Sequence, residues 1–431
     1  MIRALSVILV ATLLCGCSPL SKTSLTRRFT ATENKFKDHT GFVLYDLAKE
    51  KTVFEFNSHK YFTPASNTKI FTLYASLNLL GDSVPALHYV ESDDSLIVWG
   101  TGDPSLLYKN VYQNDRIYNF LSGVKQPLYL STSNFYTSNL GPGWSWDDYN
   151  SYYSAERSPF PVYGDIFSAE LVGDSLHVYP QYFGRYYRRG PASAQRRIER
   201  ELYSNDFVFY PDDSLAFGRK KWDLPMKIDQ QVIVEMLADT INKFVTPISK
   251  PLPANAKTLY SVPVDSLYRV LMQDSDNFIA EQLLLMCADV LSDSLIGEIA
   301  IDYMKENFLG DLADEPEWVD GSGLSRYNLF TPRSIAQMWI KIAEIVPKER
   351  LYPLLATGGL KGTIRNWYKA DKPFIFGKTG SLSNNHCLSG FLVSRSGKTL
   401  VFSFMNNNFV APGNSIRREM EEILKTIYER Y

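Results

Sequence analysis

Hydrophobic and polar positions along the chain follow two rhythms. Near the start, GFVLYDL (41–47) and TVFEF (52–56) are β-branched and aromatic runs separated by AKEK, which predicts an antiparallel hairpin. The next run, IFTLYASLNLLG, is apolar at 70, 71, 73, 74, 77, 79 and 80, a helical spacing. Thr63 suits its N-cap, Pro64 its first position and Gly81 its stop. At the far end KPFIFGKTG, HCLSGFLVS and TLVFSFMNN predict three strands, the last two joined by a tight RSGK turn. The closing SIRREMEEILKTIYERY has an amphipathic helical pattern. Two early and three late strands predict one central antiparallel sheet with helices packed on it, an α/β (α+β) class. That sheet requires the two ends to form one domain, residues 31–84 plus 262–431, with 85–261 inserted. The insertion is rich in Tyr and Trp, and HYVESDDSLIVWG, ELVGDSLHVYPQYF and NDFVFY make it read as β-rich.

Bulk properties narrow the classes. A chain of 431 residues holds about two or three domains. A net charge of −2 and a pI near 6.3 give no electrostatic case for nucleic acid. Residues 1–17, MIRALSVILVATLLCGC, combine Arg3, a short apolar run and a Cys-containing end, the pattern of a secretory signal too short to span a membrane. The ending resembles the lipobox of bacterial lipoproteins, which implies lipidation of Cys17 and attachment to a membrane by that lipid. Ser18 and Pro19 bring no acidic residue, pointing to an outer-membrane anchor facing the periplasm. Residues 18–30 read as a polar tether. Cys287 and Cys387 sit in apolar runs and read as two separately buried thiols. The five histidines (39, 59, 88, 177, 386) show no metal-ligand spacing, and none is placed as a partner for a serine. No metal or cofactor is expected. The arginines of RYYRRG and QRRIER, near 185–200, read as a solvated face.

Three short motifs carry candidate chemistry. In TPASNTK, Ser66 and Lys69 are i and i+3 on the first helical turn, near the positive end of the helix dipole. A lysine set into that helix is desolvated and becomes a possible base. In DSDNFIAEQLL, Ser275 and Asn277 flank a helix start that Asp276 or Ser275 can cap, and both could reach one cleft. In FGKTGS, Lys378 and Thr379 offer a cation and a hydroxyl, and Gly380 would admit a substrate backbone. Each motif alone is weak. Together, in this order, S-x-x-K, S-x-N and K-T-G are the set shared by penicillin-binding proteins and serine β-lactamases.

The sequence resembles the low-molecular-mass class C penicillin-binding proteins, the D-alanyl-D-alanine carboxypeptidase/endopeptidase family. The stretches TPASNTKIFT, TGDPSL, GWSWDD, SDNFIAEQLL, DGSGLSRYNLFTP and FGKTGSLS carry the resemblance, over about residues 40–405. It implies a transpeptidase/β-lactamase-like domain interrupted by a large insertion. It also implies that Ser66 attacks the penultimate D-Ala carbonyl of a peptidoglycan stem peptide, with Lys69 taking the proton. Backbone N–H groups of Ser66 and Ser381 would form the oxyanion hole. Ser275 would relay a proton to the leaving amine and Asn277 hold the acyl-side amide. Lys378 and Thr379 would bind the terminal carboxylate, and Lys378, as a like charge, would depress Lys69. Asp148, in GWSWDDYN, is implied to face the cleft and bind the side-chain ammonium of diaminopimelate, whereas Asp103, before a proline, reads as a turn builder. β-Lactam antibiotics would acylate Ser66. There are two small departures: Ser381 stands where Thr is usual, and NNH at 384–386 replaces smaller residues, the second of which bears on substrate preference and not on the chemistry. The motifs leave the identity of the general base open. Other readings are a serine β-lactamase, which needs a deacylating base, and a non-catalytic cell-wall-binding lipoprotein, which would not need Ser66, Lys69 and Lys378.

Overall fold

The computed structural model describes residues 21–111, 114–173, 175–193, 197–211 and 220–431. The signal and lipobox, Cys17 included, lie outside the described residues. The runs at the two ends of the chain pair into one six-stranded antiparallel sheet. Its order is Ala356–Thr357, Ile375–Leu382, Asn385–Val393, Thr399–Asn407, His39–Asp46, Lys51–Phe56. The first long strand and the last are thus neighbours, with Phe42 opposite Phe404. Period-two alternation divides Thr399–Asn407 between two cores: Leu400, Phe402 and Phe404 enter one, Val401 and Met405 the other. The second core is shared with the helices Lys69–Leu79, Asn277–Ser292 and Pro332–Ile345 through Phe71, Leu283 and Trp339. Cys287 and Cys387 are free thiols buried within it.

The other face corrects the tether. Residues Lys22–Phe36 are a helix, opened by Ser21, whose hydroxyl accepts the Ser24 N–H. Leu25, Phe29, Thr32 and Phe36 form a buried stripe along it, and Phe29 lies against Phe42, Phe54 and Phe404. The closing helix Gly413–Arg430 covers the rest of this face with Ile416, Met420, Ile423 and Ile427. Arg28 and Lys35 of the first helix both reach the buried Glu419 of the last, at 2.6 and 2.9 Å. The stripe was hidden because it is narrow and itself includes Thr32, with every remaining position of the helix but Ala31 polar.

The inserted part leaves the main domain along Ser83–Glu91 and returns along the adjacent antiparallel Lys257–Pro263. These are two strands of a five-stranded sheet completed by Leu96–Gly100, Leu128–Ser131 and Val245–Ile248. Two three-stranded sheets and the helices Arg116–Gly123 and Gln230–Ile241 complete it around a separate core containing Phe167, Phe207 and Trp222. The arginine-rich stretch is only partly a solvated face. Arg188 and Arg197 pair with Glu201 and Glu199, while Arg200 is buried and donates to the backbone carbonyls of Pro225, Glu201 and Ser204.

Candidate active site

The turn that carries Ser66 differs from the expected N-capped helix. Ala65–Thr68 form a tight 3₁₀ turn that runs into the α-helix Lys69–Leu79. Thr63 does not cap it: the N-cap position falls on Pro64 and no side chain caps the turn, while the Thr63 carbonyl accepts from Asn407 Nδ2 of the sheet at 3.1 Å. Ala65 has φ of +47°, a left-handed conformation costly for any residue with a Cβ. Gly323 packs on the Ala65 carbonyl so closely that a Cβ there would lie 1.9 Å from it. Asn67 clamps the turn to the sheet: its amide donates to the Lys378 carbonyl at 3.1 Å and its oxygen accepts from Ser389 at 2.6 Å. The helix ends at Leu79 with Leu80 already extended, so Gly81 is not its cap.

Lys69 is fully buried, and its Nζ lies 2.9 Å from Ser66 Oγ, 2.6 Å from Asn277 Oδ1 and 2.6 Å from the Ser322 carbonyl. Asn277 Nδ2 donates to the Tyr153 carbonyl at 2.8 Å, which fixes its oxygen toward the lysine. Two of the three contacts are therefore acceptors only. A neutral amine has two hydrogens for them and one lone pair, which falls to the Ser66 hydroxyl. Burial lowers Lys69 to about 8, against the opposing pull of Asp320, Glu281 and Asp276. A neutral fraction therefore exists near neutral pH, and it lies within one hydrogen bond of Ser66, where an amine can act as a base. Lys378 is absent from these causes. The like-charge effect runs the other way, with burial first and then Lys69 holding Lys378 well below its usual value.

A second serine–lysine pair stands beside the first. Lys378 Nζ donates to Ser275 Oγ at 2.6 Å and to the Thr379 carbonyl at 2.7 Å. Ser275 reaches it through a left-handed φ of +63°, and Asp276 then caps the helix Asn277–Ser292, accepting the Ile279 N–H at 3.0 Å. Lys378 is fully buried, so it is not presented to a ligand as a free cation. Gly380 also differs from expectation. A Cβ on it would sit 2.5 Å from the Pro64 carbonyl and 2.9 Å from Ser66 N. The glycine thus admits the Ser66 turn, rather than a substrate, and lets the strand lie against the nucleophile's own N–H.

The acceptor at Ser322 comes from a loop to which the motifs alone assigned no role. Asp320 accepts from the backbone N–H groups of Gly323 and Ser325, from Asn328 Nδ2 and from Trp144 Nε1, at 2.7–2.9 Å. Glu281 accepts the Ser322 N–H at 2.7 Å. Burial, then Asp320, raises Glu281 to about 7, with Arg157, 3.8 Å away, opposing. The sequence signal was present in DGSGLS, an acid followed by two glycines and two serines, but which carbonyl the loop would deliver is a tertiary fact.

These groups border a cleft of about 670 Å³ between the main domain and the insertion, which Ser66, Ser275, Asn277, Thr379 and Ser381 line. Asp148 lines it from the insertion, on the 3₁₀ turn Trp146–Asn150, with one oxygen accepting the Tyr153 hydroxyl at 2.8 Å. Asp103 is elsewhere: buried, it accepts from Ser105 N, Ser105 Oγ and Ser261 Oγ, a turn tied to the returning strand Lys257–Pro263. One histidine was missed. His386 Nδ1 lies 2.7 Å from Ser381 Oγ, buried and pushed down to about 3 by burial and then by Arg417, hence neutral. The strand register, Ser381 opposite His386, makes the pair.

The profile of the D-Ala-D-Ala carboxypeptidase 3 (S13) family matches residues 27–178 and 237–427. The D-alanyl-D-alanine carboxypeptidase DacB of Haemophilus influenzae is 26% identical over 428 residues, 85% of each chain. The crystal structure of penicillin-binding protein 4 from the same organism superposes with a TM-score of 0.75 at 20% identity, over 95% of this chain and 100% of that one. A predatory endopeptidase of Bdellovibrio bacteriovorus, solved with an immunity protein, gives 0.53 at 14% identity, over 90% and 94%. The structural matches establish the α/β fold.

The geometry makes one prediction about pH. If neutral Lys69 is the base, acylation of Ser66 by an activated thioester rises with pH and levels off above about 8. Lys69→Arg, which stays charged, should abolish the rise and slow acylation by about 10²- to 10⁴-fold. Stopped-flow acylation rates between pH 5 and 10 measure both, and a flat wild-type profile would exclude Lys69 as base.

Proposed function

The chain belongs to the D-Ala-D-Ala carboxypeptidase 3 (S13) family, and from that premise we propose that it is a serine D,D-peptidase acting on peptidoglycan stem peptides through an acyl-enzyme on Ser66. The observation that carries this reading is the buried Lys69, lowered to about 8 by burial, with its Nζ 2.9 Å from Ser66 Oγ. Ser66 Oγ attacks the carbonyl of the penultimate D-Ala as its proton passes to Lys69. The oxyanion falls to the N–H groups of Ser66 and Ser381, with Ser66 at the start of the helical turn. Collapse breaks the C–N bond, and the proton held on Lys69 is relayed through the Ser275 hydroxyl to the departing amine, which leaves Lys69 neutral again. Water then attacks the ester as Lys69 takes its proton, and that proton passes to Ser66 Oγ as the acid product departs. The same bond is cut whether the leaving group is a terminal D-Ala or the D-centre of a diaminopimelate cross-link. β-Lactams enter the first half of this cycle.

The direct test is digestion of pentapeptide monomers and cross-linked muropeptide dimers, followed by mass spectrometry. Wild type should release D-Ala or resolve dimers, and Ser66→Ala should do neither and take up no fluorescent penicillin. Sustained nitrocefin turnover without peptide cleavage would make the protein a β-lactamase instead.

Asp148 is the proposed reader of the diaminopimelate amine: it lines the cleft, and its Oδ1 accepts the Tyr153 hydroxyl. Losing a charge-assisted contact costs roughly 1.5–3 kcal/mol, and solvent screening of a half-buried carboxylate favours the lower end. Asp148→Ala should therefore lose about ten-fold or more in kcat/KM on peptides bearing a free side-chain amine. It should lose little on amine-blocked peptides and leave penicillin acylation near wild type. An unchanged ratio between the two peptides would remove the role.

The reading places the enzyme outside the cytoplasm, where its substrate lies, and we propose a lipid anchor at Cys17 in the outer membrane. Among the described residues no helix is long and apolar enough to cross a membrane. Because a folded helix begins at Lys22, an anchor at Cys17 leaves only residues 18–21, about 14 Å fully extended. The catalytic domain would then be held close to the membrane surface. Cys17→Ser should move the protein to the soluble fraction, and retention of the variant in washed membranes would reject the anchor.

A further inference from the structure

The loop that carries GWSWDD treats its two tryptophans in opposite ways. Trp144 is turned toward the main domain: its Nε1 donates to Asp320 at 2.9 Å, and the Arg157 guanidinium lies over its ring at 5.6 Å. Trp146 is 74% exposed, and among the described residues its side chain makes no hydrogen bond and no ring contact. Ser145 and Asp147, on either side of it, both line the main cleft, so the indole stands on the rim of that cleft. Tyr152, 66% exposed, lies on the same wall with its ring edge-on to Tyr153 at 5.5 Å. We propose that Trp146 and Tyr152 form a docking platform for the sugar rings of the glycan strand to which a stem peptide is attached. The proposal rests on the peptidase reading, because it concerns the remainder of the same substrate.

The backbone beneath these rings is fixed. Asn150 exchanges two hydrogen bonds with the backbone of Arg200, at 3.1 and 2.8 Å. Arg200 is itself buried and donates to the Tyr149 carbonyl at 3.3 Å. The Asp148 N–H closes on the Ser145 carbonyl at 3.2 Å, and the Ser151 N–H on the Asp148 carbonyl at 2.7 Å. Solvent therefore meets aromatic surface whose position is set by buried groups. An indole left in water forfeits the burial that its area would give. Apolar surface held rigidly beside a cleft and bordered by polar groups marks a face that a ligand covers.

Charge and position select the ligand. Asp147 and Asp148 follow the indole directly, so an anionic lipid headgroup or an acidic polymer is repelled there. An N-acetylated pyranose carries no charge. Its C–H face stacks on an aromatic ring, and its hydroxyls can donate to a carboxylate such as that of Asp147. In a stem peptide two residues separate diaminopimelate from the lactyl group of the sugar, about 7 Å of extended chain. Trp146 is two positions before Asp148 on the same 3₁₀ turn. With the diaminopimelate amine at Asp148, the first sugar ring comes within reach of the indole.

Two substrates test this: a disaccharide pentapeptide, and the same pentapeptide without its sugars. Wild type should favour the first by about ten-fold in kcat/KM, chiefly through KM. Trp146→Ala should bring the ratio close to one, Trp146→Phe should keep part of it, and Tyr152→Ala should reduce it. A second measurement reads the platform without catalysis. Immobilised glycan chains stripped of peptide should retain the wild-type protein and retain Trp146→Ala correspondingly less. A wild type that cleaves both peptides equally well, or a Trp146→Ala enzyme that keeps the wild-type ratio, overturns the platform and leaves the peptidase reading intact. Loss of binding to phosphatidylethanolamine–phosphatidylglycerol vesicles by Trp146→Ala, with glycan retention unchanged, also overturns it and assigns the indole to a membrane. If wild type cleaves neither peptide but glycan chains still retain it through Trp146, the peptidase reading fails and the platform stands.

Discussion

Withdrawing one lysine amine from water is the constraint around which this protein is built. An ammonium stripped of solvent is so unfavourable that the group tends to shed its proton instead. Three carboxylates, Asp320, Glu281 and Asp276, pull in the opposite direction, yet burial wins and Lys69 falls to about 8. The acids lose this contest because each is already committed. Asp320 accepts hydrogen bonds from a whole loop, Asp276 caps a helix, and Glu281 is itself raised to about 7. Fewer acids would leave the lysine too weak a base to take a serine proton. A closer, uncommitted acid would keep it permanently charged.

Holding that balance takes residues from four distant parts of the chain. Ser66 and Lys69 come from just after the first hairpin, Asn277 from the start of the second helix after the insertion, Ser322 from the Asp320 loop, and Lys378, whose carbonyl anchors the Ser66 turn through Asn67, from the strand Ile375–Leu382. The sheet makes this possible because its N-terminal strands pair with its C-terminal ones, so the Ser66 turn is fixed against a strand more than three hundred residues later. Two tight fits, Gly323 on Ala65 and Gly380 on the Ser66 backbone, lock the turn between loop and strand. The insertion is also part of the machinery: the Tyr153 carbonyl orients Asn277, and Asn277 in turn orients Lys69.

What could be read from the sequence divides along physical lines. The hairpin, the three closing strands and the Ser66 helix were visible because one face of each is buried and the apolar period is written locally. The three motifs were visible because proton transfer demands fixed residue types at short spacing. The helix Lys22–Phe36 was not, since its stripe is narrow and its polar residues find partners such as Glu419 only across the sheet. The roles of Asp320, Glu281 and His386 were also hidden, because each depends on register or loop path. Lys378 was legible as important but not as withdrawn: a motif gives a residue's neighbours in sequence and says nothing of its access to solvent.

That withdrawal changes how charge is distributed along the cleft. Both motif lysines face inward, so the walls a substrate meets are dominated by acids, Asp147, Asp148, Asp274 and Asp276, with Arg326 among them. A cleft of this kind attracts an ammonium and repels a carboxylate unless the carboxylate is led elsewhere. A stem peptide carries both groups, on opposite sides of the bond to be cut. Acidic walls on one side of that bond would begin to orient such a peptide before any hydrogen bond to its backbone forms. Orientation then draws on the long-range field of the cleft walls, to which the two buried lysines present no exposed charge.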